Sequence, residues 1–416
     1  METGLPADET QVRLQGKGSA MAVSWVLGVG ALASRNSIFT IGDYYYKLFP
    51  DYHPDRVLTL VYQTLALSAM ILFTYKESKI NTRRRNMSGY ILFFLTTLAL
   101  VLLDLITSGK GGTRNYIVIC VFVAAFGVAD AHVQGGMVGD LSLMCPEFVQ
   151  SFFGGMAASG ALTSALRLIT KAAFEKSDSG LRKGAIMFLA ISTLLELVCI
   201  YLYAYVFPNL PVVKYYRTKA ALEGSKTVSS DLVAAGIQTN ASVSEQDVLK
   251  PRESLCKKEL LFQNIDYAVE IFLIFLLSLS IFPGFLYENT GKHHWGSWYP
   301  LVLIAVFNLW DLIGRYIPLK NSIKMESRKG LLLATLSRFL LVPAFHFTGK
   351  YGNPGLMLFL VLFLGLSNGY LTVCVMTVAP RGYKGPEQNA LGNLLVLCLL
   401  GGIFAGVSLD WLWLLD

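Results

Sequence analysis

The segment Phe307-Asn308-Leu309-Trp310-Asp311-Leu312-Ile313-Gly314-Arg315-Tyr316 sets an acid and a guanidinium four residues apart inside an apolar run. At 3.6 residues per turn, Asn308, Asp311 and Arg315 fall within a sector of roughly 60° on one helix face, while Leu309, Trp310 and Ile313 point elsewhere. Charges at membrane depth face a protein interior or a water-filled path, and by default they mark a substrate or ion route. The alternative is a structural ion pair within the helix, each charge neutralising the other.

The elements that must position this face are membrane helices. Hydrophobic residues make up 54% of the 416 and charged residues 15%, against about 45–50% and about 25% in soluble domains. Apolar runs of about 18 to 25 residues, each long enough to cross a hydrocarbon core of about 30 Å, recur along the chain. They cover 19–41, 57–75, 89–108, 114–141, 152–171, 184–206, 264–286, 299–319, 330–348, 354–378 and 390–413. The prediction is an all-α integral membrane protein of about 11 transmembrane helices in the lipid bilayer. With the N-terminus in the cytosol, 21 of the 35 Lys and Arg fall on the cytosolic side and 10 outside, which fixes the orientation and sets the C-terminus on the opposite side. The formal charge of +7 is therefore a topology signal, and no nucleic-acid partner is expected.

The polar first 18 residues predict no cleavable signal peptide, the first helix serving as insertion signal. The chain divides into a cytosolic arm (1–18), a bundle of six helices (19–206), a Ser-, Lys- and Glu-rich cytosolic linker (207–262) and a bundle of five (263–416). This 6+5 division suits a fold like that of the major facilitator superfamily (MFS), two bundles rocking about a central site. Asn86 and Asn240 open Asn-x-Ser sequons on the cytosolic side, so neither is expected to carry glycan.

Other spans carry polar groups that lipid would reject. Asp130 and Gln134 stand four apart, followed by Gly135, Gly136 and Gly139, so that helix is predicted to line the interior. Ser159, Thr163 and Arg167 form a stripe beside Gly154, Gly155 and Gly160, read either as pathway or as packing with a snorkelling Arg167. Ser367-Asn368-Gly369-Tyr370 interrupts a later span, as a packing kink or as part of a pathway. Catalysis finds no support. Of the five histidines only His293 and His294 are clustered, the six cysteines show no metal or disulfide spacing, and there is neither a Walker A loop nor a Gly-x-Ser-x-Gly elbow. No enzyme activity, metal or cofactor is expected.

The Phe307-Asn308-x-x-Asp311-x-x-Gly314-Arg315 segment resembles the hallmark of the equilibrative nucleoside transporters, in the eighth span there as here. The resemblance runs nearly end to end, through Ser367-Asn368-Gly369-Tyr370-Leu371, Arg381, Lys384 and the long loop after the sixth span. The stretches Gly42-Asp43-Tyr44-Tyr45-Tyr46, Phe49-Pro50-Asp51-Tyr52-His53-Pro54 and Arg56 through Gln63 resemble the plant branch.

The resemblance implies that Asp311 accepts from, and Arg315 donates to, the ribose hydroxyls, with Asn308 shaping the site one turn earlier. A ribose offers paired hydroxyls that a carboxylate and a guanidinium can bridge. Gln134 matches a glutamine that contacts the nucleobase, and Phe39 and Gln63 of the first two spans stand in the same wall. Asn36 matches the second residue of a Trp-Asn pair facing the cavity. Arg35 departs from it, a cation where the family has tryptophan. Three consequences compete: altered specificity, impaired transport, or an Arg35 paired with Asp43 or Asp130. Thr64 stands where plant members commonly have proline and is expected to straighten the second span.

The implied function is transport of nucleosides, such as adenosine and uridine, by alternating access. A proton-coupled form is the near alternative, with Asp104, Asp130, His132, Asp140 and Glu196 as titratable groups. A receptor that binds nucleoside without carrying it is the distant one. The plasma membrane is the expected location, the vacuolar membrane the alternative.

Overall fold

The computed structural model describes residues 16–52, 54–76, 80–174, 180–222, 257–282, 284–288, 298–320, 322–351, 354–383, 386–410 and 412, which form helices and turns with no strand among them. In the first half of the chain the helices are α1 (Lys17–Thr40), α2 (Gly42–Leu48), α3 (Pro54–Tyr75), α4 (Thr82–Thr107), α5 (Thr113–Ser142), α6 (Pro146–Phe174), α7 (Gly180–Tyr201) and α8 (Pro211–Leu222). The second half holds α9 (Lys257–Gln263), α10 (Ile265–Ile281), α11 (Gly284–Glu288), α12 (Trp298–Tyr316), α13 (Arg328–Ser337), α14 (Leu341–Tyr351), α15 (Pro354–Val378) and α16 (Pro386–Asp410).

Local chemistry sets these boundaries. Five of the helices begin on proline (Pro54, Pro146, Pro211, Pro354, Pro386), whose missing N–H costs nothing in a first turn. Asn81 caps α4 by accepting from the Arg84 amide at 2.8 Å, and Ser327 caps α13 through the Gly330 amide at 3.3 Å. The Thr64 hydroxyl donates back to the Leu60 carbonyl at 2.7 Å, and α3 runs through this position without a break.

Ten stretches among the described residues are long and apolar enough to cross a bilayer, and they coincide with the second to eleventh expected spans. The first expected span is α1, whose 24 residues reach about 36 Å. Its serines, glycines, Arg35 and Asn36 leave it less apolar, and it is not one of the ten. Large apolar side chains such as Leu95, Ile106, Leu194 and Leu197 stand exposed on outward faces, where a bilayer rather than water would cover them. The linker expected over 207–262 is helical at both ends, in α8 and α9, while 223–256, Asn240 included, lie outside the described residues. So do His293, His294 and Lys384. Asn86 is fully buried and donates to the Tyr203 hydroxyl at 2.9 Å, a position no glycan could share.

The helices pack on near neighbours within each half: α1 on α6 and α7, α5 on α3 and α4, α10 on α16, and α12 on α15. Across the halves, α6 lies against α12, and α16 lies against α5 and α3. Backbone approach is closest where glycine removes the side chain. A Cβ on Gly28 would strike the Phe152 carbonyl oxygen, and one on Gly155 that of Trp25, so α1 and α6 touch along their backbones. At the far end of α4, Asp104 accepts from the Tyr44 hydroxyl and, at 2.9 Å, from Arg182 Nε. Burial, and then that hydrogen bond, push the Tyr44 phenol well above its ordinary 10.0, so it stays a donor at physiological pH.

Candidate functional site

The close fit of α12 on α15 builds the first half of the site. A Cβ on Gly369 would meet the Asp311 carbonyl oxygen, and one on Gly314 would meet that of Leu366. At this separation Asn368 Nδ2 donates to Asp311 Oδ1 at 2.7 Å. Arg315 takes the other carboxylate oxygen, with both Nε and Nη2 lying 3.0 Å from Oδ2. One helical turn thus puts the acid and the guanidinium side by side on one face, as the i, i+4 spacing predicts.

The pair does not stand alone. Arg315 Nη1 donates to the Phe153 carbonyl at 2.9 Å, and Gln150 Nε2 donates to the Arg315 carbonyl at 2.9 Å, so α12 is tied to α6 of the other half. Behind Asn368, Ser278 Oγ donates to its Oδ1 at 2.7 Å and accepts from Arg338 Nη2 at 2.8 Å. A polar chain therefore runs from buried Arg338 through Ser278, Asn368, Asp311 and Arg315 to the α6 backbone. Asp311 bonds one guanidinium directly, that of Arg315, while Arg338 reaches it only through Ser278 and Asn368. Asp311 is 5% exposed and Arg315 6%.

The two asparagines of the expected site face α6. Asn308 Nδ2 donates to Ser164 Oγ at 2.8 Å and lies over Gly160, and Asn36 Nδ2 donates to Ser159 Oγ at 3.0 Å. Both sit beside the charged groups of their own helices without bonding to them.

Arg35, Phe39, Gln63 and Gln134 lie on α1, α3 and α5. The guanidinium carbon of Arg35 is 5.2 Å from the Tyr62 ring centroid and 5.8 Å from that of Phe39, and the two rings meet edge to face. Gln134 Nε2 donates to Asp130 Oδ1 at 2.6 Å, and Asp130 lies within the electrostatic reach of Arg35. Arg35 and Asp130 form no ion pair and act on each other only through space, and the Asp43 side chain, the other acid expected to compete for Arg35, lies outside the described residues. The Tyr62 hydroxyl and Asp130 lie against each other, and both amide atoms of Gln63 are buried without a hydrogen-bond partner. Buried polar atoms left open in this way are what a bound water or a polar solute satisfies.

Comparison with known proteins gives the family. A family described as nucleoside transporter matches residues 119–415. The chain belongs to the nucleoside transporter family. In Arabidopsis thaliana, "Equilibrative nucleotide transporter 3" is 66% identical over 403 residues, covering 97% of this chain and 96% of the relative. "Equilibrative nucleotide transporter 6" is 65% identical over the same shares of the two chains. The fold is that of the MFS: the proton:xylose symporter XylE, bound to 6-bromo-6-deoxy-D-glucose, superposes with a TM-score of 0.65 at 12% identity, over 96% of this chain and 88% of the other.

For a nucleoside transporter, the positions that sequence reasoning left out are as informative as those it named. Asn368 had been read as a kink or a pathway residue, and the polar break around it was the available signal. Ser278, Gln150 and the Phe153 carbonyl carried none, because serine in an apolar run and a backbone oxygen look the same whether or not they hold an arginine. Tyr62 lies within the Arg56 to Gln63 stretch that resembles the plant branch.

Proposed function

We propose that this chain moves nucleosides, adenosine and uridine among them, by alternating access, with the ribose held by Asp311 and Arg315. The observation that carries the reading is the buried Asp311–Arg315 pair at the seam between the halves, its guanidinium bonded to the α6 backbone across that seam. A sugar diol entering there finds an acceptor and a forked donor side by side. Rocking of α12 against α6 would break the Arg315 contacts to Phe153 and Gln150, so binding and motion share the same atoms. Gln134, Gln63 and Phe39 form the base side of the site, Arg35 stands among them, and Asn36 and Asn308 hold its walls against α6.

In this reading α1 is the eleventh crossing, residues 19–206 and 263–416 are the two rocking bundles, and 207–262 joins them in the cytosol. The N-terminus is cytosolic, the C-terminus lies on the opposite side, and the plasma membrane hosts the protein. A proton-coupled form is favoured by one observation: Glu196 is fully buried, accepts from Ser34 Oγ at 3.0 Å, and has its second oxygen unpartnered. A lone buried carboxylate is cheapest to keep with a proton on it.

The test is uptake of labelled adenosine and uridine in cells lacking their own nucleoside carriers, with surface protein quantified and a protonophore arm. Saturable uptake that ignores the protonophore supports facilitated transport, and accumulation that collapses with it supports coupling. Specific nucleoside binding without uptake would make the protein a receptor instead.

A further inference from the structure

Arg35 has more hydrogen-bonding capacity than its surroundings use. It is half-buried on α1 with its guanidinium set over Tyr62 and Phe39 at 5.2 and 5.8 Å, and no described residue accepts a hydrogen bond from it. A guanidinium carries five N–H donors in a fixed planar fork. Ring contacts use none of those donors in a hydrogen bond to an oxygen or nitrogen acceptor.

Asp130 is fully buried, accepts from Gln134 on one oxygen and lies against the hydroxyl of Tyr62, the ring that carries the Arg35 guanidinium, without forming an ion pair with Arg35. A buried carboxylate beside a guanidinium balances its charge, so the local sum is zero. A second anion would find no net attraction there, whereas a neutral group rich in acceptors would. The unpartnered amide of Gln63, one residue after Tyr62, adds open polar atoms to the α3 helix that carries this ring.

A planar fork fits two acceptors side by side. Guanine and hypoxanthine offer O6 and N7 in that arrangement, and cytosine offers O2 and N3. Adenine sets an N6 donor beside N7, and in uracil each carbonyl is followed by the N3–H donor. The geometry points to Arg35, seated on Tyr62 and Phe39 beside Asp130, as a base-specificity residue that selects guanosine, inosine and cytidine over adenosine and uridine. Asp130 is then a positioning residue, acting through Arg35. This rests on the nucleoside-transport reading above and adds to it the class of base preferred.

The experiment compares initial uptake efficiency for labelled inosine, adenosine, cytidine and uridine in the same carrier-deficient cells, for the native chain, Arg35→Lys, Arg35→Trp and Asp130→Asn at matched surface expression. Competition by 7-deazainosine, which lacks the N7 acceptor, needs no variant at all. The native chain should favour inosine over adenosine, and cytidine over uridine, by roughly fivefold or more, and 7-deazainosine should lose most of that advantage. Arg35→Lys keeps the charge but not the fork, so its ratios should fall near one. Asp130→Asn should lower the ratios too, whereas a purely structural Asp130 would lower all four rates together and leave their ratios unchanged. Native ratios near one, or indifference to N7, would overturn the inference while leaving transport in place. So would nucleoside monophosphates competing better than nucleosides, or uptake only by Arg35→Trp. Absence of uptake by both the native chain and Arg35→Trp would overturn the transport reading and this inference with it.

Discussion

Asn368 is bonded to Asp311 at 2.7 Å across two helices that touch through glycine, and this bond fixes which way the carboxylate faces. Oδ1 is turned to α15 and Oδ2 to Arg315. Each carboxylate oxygen has two lone pairs, so the three bonds drawn to Asp311 leave it capacity for a sugar hydroxyl without giving up a partner. Among the described residues Asp311 is the one carboxylate that holds Arg315 and Asn368 together. Ligand binding and the packing of α12 on α15 thus draw on one group.

Asp311→Asn separates these two roles. The amide keeps the shape and loses the charge, so ribose binding should fail while the helix pair still forms. Uptake should drop to background with normal surface expression, measured by labelled uridine uptake and surface biotinylation in the same cells. Loss of the protein from the surface would instead assign the pair to structure, because removing one partner of a buried ion pair costs about 3–5 kcal/mol.

Asn368→Ala removes the donor to Asp311 and the acceptor of Ser278 in one step. Leaving such buried groups unpaired costs about 1–3 kcal/mol, so the detergent-purified variant should melt several degrees below the native chain. Uptake should weaken without vanishing, since Arg315 still holds Asp311. Asn368→Asp should be the more severe change, setting two carboxylates together, and a melting temperature equal to that of the alanine variant would argue against this chain of bonds.

Gly369→Val tests the helix contact itself. Any Cβ at this position meets the Asp311 carbonyl oxygen, and backbone cannot yield as a flexible side chain would. Overpacking of this kind costs about 1–3 kcal/mol and separates α12 from α15. The variant should lose both thermal stability and uptake, whereas Gly18→Ala, where an added Cβ meets nothing within 4 Å, should change neither.

The spans were legible in the sequence because length and apolarity are what a bilayer selects, and ten of them fall where the runs predict. The Asp311–Arg315 bridge was legible because helical period alone puts those residues on one face. Asn36 was not: its place on the first span was clear, but that its amide points at Ser159 depends on how α1 leans on α6 through Gly28 and Gly155. The same limit hides the seam between α4 and α16, whose partners are 308 residues apart.

At that seam Arg85 reaches from one half of the molecule to the other. Its Nη1 donates to Asn393 Oδ1 at 2.7 Å, its Nη2 donates to the Ala131 carbonyl at 2.8 Å, and its guanidinium lies 4.8 Å from the Phe73 ring centroid. Nearby, a Cβ on Gly139 would collide with the Asn389 side chain, so α5 and α16 are in close contact here. Alternating access requires this contact to open. A hydrogen bond to a charged group is worth about 1.5–3 kcal/mol, so Asn393→Ala should shift the balance toward the opened form by roughly 10- to 100-fold. Asn393→Asp should do the reverse, giving Arg85 a buried counter-charge that holds the seam shut. A cysteine at Ser142, which is buried against Gly392, reports the state of the seam in a background without native cysteines. Labelling by a membrane-impermeant maleimide from the α5 C-terminal side should quicken in Asn393→Ala and slow in Asn393→Asp, with uptake slowed in the latter. Equal rates in the two variants would mean that Arg85 packs at this seam without controlling it.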